Sequence, residues 1–188
     1  MRELRRAFAI ILTLVAIIWV VNAVDTLLSA GHLRSFGIVP RTGRGLRGIV
    51  FAPFLHAGLS HLIANTGGLF VFGGMTILRS ERDFWFVTGI GALVSGVGTW
   101  VFGHSGVHIG ASGVIFAYFG YLLFTGWFER RIGALLLSVA VFVIWWPTLF
   151  GLLPLQTGLS WEGHVFGLFG GALTAWLLAR NRRRRGAN

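Results

Sequence analysis

The feature that most limits what this chain can become is the rhythm of its apolar runs. Six of them, roughly 7–28, 54–78, 84–103, 111–128, 132–150 and 161–179, are separated by brief polar or Gly-rich breaks. Most approach the roughly 20 residues with which a helix crosses a bilayer. With 55% of residues hydrophobic and 12% charged, a soluble fold would leave most of its surface apolar. The expectation is an all-α membrane protein, a bundle of six transmembrane helices in a single domain over residues 1–188. No soluble domain, low-complexity linker or clear internal repeat interrupts it. Arg2, Arg5 and Arg6 precede the first run as they would in a signal peptide. Its apolar stretch, however, exceeds the roughly 7 to 15 residues of a signal-peptide core, so it reads as a retained helix.

All 16 basic residues are arginine, and the formal net charge is +10. Such an excess can mark a nucleic-acid binder, but its distribution here is a topology signal. With the N-terminus in the cytosol, Arg2, Arg5, Arg6, Arg79, Arg82, Arg130, Arg131, Arg180 and Arg182 to Arg185 all fall on the cytoplasmic side. Only Arg34, Arg41, Arg44 and Arg47 lie outside. The expected product is a multi-pass protein with both termini cytoplasmic and an Arg-rich tail over 180–188 that lies against anionic membrane lipids. No aromatic-interleaved basic module supports nucleic-acid binding. The chain has no cysteine, which excludes disulfides, thiol catalysis and Cys-ligated metal.

The breaks differ in character. Arg79 to Asp83 and Glu129 to Arg131 are short charged turns, whereas the outer connections are longer and Gly-rich. Gly31 to Gly48, with Pro40 and four arginines, suits an interfacial loop with snorkelling side chains. Depth can be counted back from the cytoplasmic charges at the helical rise of 1.5 Å per residue. Ser112 then lies about 26 Å from Glu129, His164 about 24 Å from Arg180, and His61 and Asn65 about 27 and 21 Å from Arg79. Against a hydrocarbon thickness of about 30 Å, all four occupy one layer slightly below the outer surface.

Polar groups inside a bilayer are costly and usually face a bundle interior or a wet cavity, so four in one layer suggest a site. A lone transmembrane serine is more often a packing residue bonded to its own helix. Ser112 departs from that because Gly110 and Gly113 flank it at a helix start, where uncapped N–H groups suit an oxyanion. His164 supplies the complementary base, able to take the serine proton and return it to a leaving amine. Its ordinary alternative is a histidine bonded in the core. Glu162 is roughly 200° around the helix from His164, so an Asp/Glu-bearing triad is unsupported and a Ser/His dyad remains.

His61 and Asn65, at i and i+4, share a helix face and can donate to a developing negative oxygen, or can simply tie the helix to its neighbours. His56 is off that face and reads as loop support or packing. Metal is a rival account of the histidines. No HExxH occurs, and the one i, i+4 pair, His104 and His108, falls in a Gly-rich break where helical geometry is doubtful, so no metal ligand is assigned. Gly163, Gly167 and Gly171 recur every four residues and allow close approach of the fourth segment, which carries Gly113 and Gly120.

Four stretches carry a family resemblance: Gly37 to Thr42, Phe54 to Asn65, Gly110-Ala111-Ser112-Gly113, and Trp161 to Gly167. The HxxxN, GxSG and GHxxG motifs on alternate spans resemble those of the rhomboid intramembrane serine proteases. The resemblance implies a six-helix core with Ser112 as nucleophile and His164 as general base and acid. It implies an oxyanion hole from the Ser112 N–H, His61 and Asn65, and no metal or organic cofactor. It further implies transmembrane protein substrates cut near the outer membrane face, and a gate and cap formed by the fifth helix, with Trp145-Trp146-Pro147, and by the loop from Gly151 to Ser160. Many relatives place Tyr four residues after the serine where this chain has Phe116, and the Trp-Arg pair of some relatives' first outer loop is not evident. The expected protein is a serine endopeptidase of a prokaryotic cytoplasmic membrane. A non-proteolytic member that binds membrane proteins and, more distantly, a small transporter are the alternatives.

Overall fold

In a computed structural model of the chain, which describes residues 1–154 and 160–185, the apolar runs fold as long helices. These are α1 (Arg2–Leu27), α2 (Leu59–Arg79), α3 (Glu81–Phe102), α4 (Ser112–Glu129), α5 (Ile132–Trp145) and α6 (Trp161–Arg185). A widened turn, Leu69–Gly73, lies within α2, and a tighter turn, Trp146–Leu152, prolongs α5. Ser80 separates α2 from α3: its hydroxyl accepts the Asp83 N–H, capping α3 in the usual manner of a serine.

Among the described residues four stretches, α1, α2, α3 and Ile132–Leu152, are long and apolar enough to cross a membrane, against the six expected. The difference has a physical cause in α4. That helix is largely enclosed by protein, so Tyr118, Tyr121, Thr125 and several glycines replace the aliphatic residues a lipid-facing helix requires. The lipid-facing composition appears on α5, where only Ala134, Ser138 and Val141 are buried and Leu136, Val139, Val143 and Ile144 are exposed. Ser138 holds α5 to α4, accepting the Gly126 N–H (2.9 Å) and donating to the Leu122 carbonyl (2.8 Å).

The α4–α6 seam is a backbone contact. A Cβ on Gly167 would stand 2.2 Å from the Gly113 carbonyl oxygen, and one on Gly171 would stand 2.0 Å from that of Ala117. Gly163 serves a different neighbour, since its open face is filled by Thr99 of α3 and by Ser160. Around this seam the core is aromatic: Phe84 stacks on Tyr118 with centroids 5.1 Å apart, and Phe72 tilts against Phe119.

One end of the bundle gathers residues that the charge pattern assigns to the cytosol. Arg79 bonds Glu129 (2.5 Å), Arg182 bonds both Glu129 and Asp83, and the Tyr121 hydroxyl donates to Asp83. Buried carboxylates need such partners because an unpaired charge in a low-dielectric interior is expensive. At the opposite end, segment 31–48 is more ordered than a snorkelling interfacial loop. Ile38 pairs with His108 through two backbone hydrogen bonds of 2.9 and 2.8 Å. Arg34 bonds the buried Asp25 (2.8 Å), and Arg41 donates to the carbonyls of Val101 and Gly103. These guanidiniums are therefore spent on protein groups. The second run also begins later than expected, at Leu59, because Leu55 to Gly58 is not helical and Gly58 sits at φ 139°, a conformation that favours glycine.

Candidate active site

Ser112 is the first residue of α4, so its amide is among those with no partner inside the helix. The preceding Gly110 adopts φ +121° and donates its N–H to the Ala52 carbonyl (2.8 Å), fastening the approach to Ser112 against the turn that leads to α2. A Cβ at Gly110 would lie 2.6 and 2.7 Å from Cε1 and Nε2 of His61. Only glycine lets the His61 ring come so close to this backbone.

The Nδ1 of His61 accepts the Ala57 N–H at a long 3.4 Å, which leaves the ring proton on Nε2, the nitrogen against Gly110. Asn65, buried at 4% exposure, uses one Nδ2–H on the His61 carbonyl (3.0 Å) and has a second to offer. Two neutral donors from one face of α2 thus stand beside the segment that carries Ser112.

His164 projects from α6. Its Nδ1 lies 2.7 Å from the Gly151 carbonyl, which can only accept, so Nδ1 carries the proton and Nε2 keeps a lone pair. The ring lies flat on Phe116, centroids 4.3 Å apart and planes 9° from parallel. Gly151 was visible in the sequence only as the start of a Gly- and Pro-containing connection. Its part in holding His164 depends on a contact across 13 residues that no local pattern reveals. Residues 155–159 of the expected cap, and 186–188 of the Arg-rich tail, lie outside the described residues.

Ser112, His164, His61 and Asn65 line one cleft of about 430 Å³. The rest of its wall is mostly apolar and runs between α2 and α5, with Phe72 and Trp145 facing each other at 5.8 Å between ring centroids. The Ser112 hydroxyl makes no hydrogen bond to His164. Catalytic hydrogen bonds are often long in resting sites and tighten once substrate is bound.

Two expected bystanders have defined places. His56 is 1% exposed, packs edge-on to His61 at 5.1 Å, and has no hydrogen-bond partner among the described residues for either ring nitrogen. Burial, reinforced by neighbouring His61, lowers its pKa to about 4. Glu162 turns away from His164 and bonds both the amide and the Nδ1 of His104, at 2.8 and 2.9 Å. Its remaining neighbour in that corner is His108, and one ligand atom each from His104, His108 and Glu162 lies within 4.8 Å of the others.

The model of the rhomboid domain family matches residues 43–181, a stretch that contains Ser112, His164, His61 and Asn65. The chain belongs to the rhomboid family. An uncharacterized protein of Mycobacterium tuberculosis is 37% identical over 183 residues, covering 93% of this rhomboid and 76% of its own length. A Bacillus subtilis protein bearing a provisional rhomboid-protease name, YdcA, is 27% identical over 181 residues, covering 93% of this chain and 89% of its own. RHOMBOID-like protein 1 of Arabidopsis thaliana is 32% identical over 137 residues, covering 66% of this chain and 31% of its own. Family and apolar helices together make this rhomboid a multi-pass membrane protein, and its relatives support protease chemistry.

Proposed function

We propose that this rhomboid is a serine endopeptidase that cuts transmembrane protein substrates near the outer membrane face, with Ser112 and His164 as its catalytic dyad. The observation that carries the proposal is the joint lining of one cleft by a serine at a helix start, a histidine with a free Nε2 lone pair, and two donors on a third helix. Substrate enters between α2 and α5, past Phe72 and Trp145, and its unwound segment meets the polar end of the cleft.

In the acylation step the Ser112 Oγ attacks the scissile carbonyl carbon while His164 Nε2 takes the hydroxyl proton. Negative charge then develops on the former carbonyl oxygen. His61 Nε2–H, the free Asn65 Nδ2–H and the Ser112 N–H are the donors that meet it. Collapse of the tetrahedral intermediate breaks the C–N bond, and the imidazolium gives its proton to the leaving amine. Water, deprotonated by His164, attacks the ester and frees Ser112. The orientation that a carboxylate provides in a triad falls here to the Gly151 carbonyl on Nδ1 and to the Phe116 ring.

The same reading takes the chain as one domain of six membrane spans in a prokaryotic cytoplasmic membrane, both termini cytoplasmic, with α4 and α6 as the shielded spans. Reconstitution with single-span substrates tests it: wild type cleaves, and both Ser112→Ala and His164→Ala are inert. Cleavage by purified Ser112→Ala equal to wild type overturns it. Substrate capture without cleavage by the wild type favours the non-proteolytic reading.

A further inference from the structure

Glu162 is the least satisfied charged group near the cleft. It is 3% exposed, its Oε1 is taken by His104, and its Oε2 is buried with no partner among the described residues. An orphaned carboxylate oxygen in a low-dielectric corner costs free energy until a proton or a cation reaches it. The groups beside it are two imidazoles. His108 is 5% exposed and held by the Ile38 bridge, while His104 has nearly half of its side chain open to the surroundings. Their rings meet edge-on, 4.5 Å between centroids. Gly106, at φ +141°, turns the intervening chain so that the pair converges without the helix that their spacing would otherwise need.

We propose that His104, His108 and Glu162 form a three-ligand site for a divalent metal ion of the zinc class, fastening the segment that leads to Ser112 onto the first turn of α6. Two imidazole nitrogens and one carboxylate oxygen are a donor set that zinc accepts, with a fourth position left for water. The exposed flank of His104 is the way in. Coordination gathers around one ion three ligand atoms that already lie within 4.8 Å of one another. It also requires His108 to give up one present bond: Nδ1 is 2.7 Å from the Ser160 hydroxyl, and Nε2 donates to the His104 carbonyl at 2.9 Å. The Ser160 contact is the one more easily released, since a hydroxyl rotates freely and the His104 backbone carbonyl does not. The ion takes no part in peptide cleavage. It braces the geometry between the chain entering Ser112 and the helix carrying His164, two residues beyond Glu162.

The test uses the full-length protein in detergent, stripped with a chelator and titrated with Co²⁺ as a spectroscopic stand-in for Zn²⁺. One Co²⁺ per chain is expected to give the visible d–d absorption of a low-coordinate site, abolished by excess Zn²⁺, and Zn²⁺ is expected to raise Tm. Ser112→Ala keeps both signals, so the outcome is independent of whether the protein is a protease. Loss of one ligand in Glu162→Gln or His104→Ala weakens Co²⁺ binding at least about tenfold, since even outer-shell changes cost that much. His104→Ala, altered at the most exposed ligand, guards against a folding defect in Glu162→Gln. Absence of the absorption in the stripped wild type overturns the proposal, as does an absorption and Tm shift that persist unchanged in His104→Ala.

Discussion

The His164 ring lies parallel to the Phe116 ring at 4.3 Å, with its Nδ1 bonded to the Gly151 carbonyl. Two restraints therefore set the direction of Nε2, one by stacking and one by a hydrogen bond. Phe116 does the stacking work that its place four residues after Ser112 suggests, with no hydroxyl of its own. Phe116→Leu is predicted to lower kcat by up to about tenfold, matching the roughly 0.5–1.5 kcal/mol of an aromatic pair. Phe116→Tyr is predicted to keep activity near wild type. Steady-state kinetics in proteoliposomes checks both, and a Phe116→Leu loss confined to KM would contradict the positioning role.

Gly151 is the tighter restraint. A Cβ there would stand 2.8 Å from Phe116 Cζ and 3.4 Å from His164 Nδ1. Gly151→Ala is predicted to push the stack apart and to reduce kcat by about 10², the size of effect that misplacing a catalytic group by about 1 Å can have. The global fold should persist, because the strain falls on the Phe116–His164 stack alone. Paired measurements of kcat and Tm separate this outcome from general destabilisation.

His56 gives a pH dependence of stability. Its folded pKa is lowered to about 4 from 6.5 by burial and by His61. The unfolded chain therefore binds the proton first as pH falls. Stability from this residue is fully present above about pH 6.5 and is lost progressively as pH drops toward about 4. Tm measured between pH 7 and pH 4.5 should decline for the wild type and decline less for His56→Phe. Parallel Tm profiles for the two proteins would show that His56 is not the group responsible.

At the other end of the bundle, Arg182 joins Asp83 and Glu129. Arg182→Ala leaves two buried carboxylates with fewer cations, though Tyr121 and Arg79 still bond them, and is predicted to destabilise by roughly 1–2 kcal/mol. Its distance from the cleft predicts an unchanged kcat at a temperature where the variant is folded. Denaturant unfolding in micelles, with activity measured on the same preparation, tests both halves.

Much of this architecture can be read along the chain because hydrophobic run length is a local property. The run at 84–103 becomes Glu81–Phe102, and that at 111–128 becomes Ser112–Glu129. Counting depth from the charges expected on the cytoplasmic side brings Ser112, His164, His61 and Asn65 to one layer, and the same four line one cleft. What escapes such reading depends on contacts between distant segments. Asp25 binding Arg34, Arg41 reaching Gly103, Gly151 holding His164 and Glu162 meeting His104 all follow from tertiary packing. The α4 helix is legible as an apolar run but not as an enclosed one, since Tyr118 and Tyr121 look equally at home at a membrane interface. Only the packing shows them fully buried.

The central claim is that His164 activates Ser112 as a nucleophile, and covalent capture tests it without a substrate. Intact mass and peptide mapping after exposure to a fluorophosphonate should find a single adduct, on Ser112, in the wild type. None should form in Ser112→Ala, and His164→Ala should react far more slowly. An adduct located on another residue, or Ser112 labelled in His164→Ala as fast as in the wild type, would contradict the dyad.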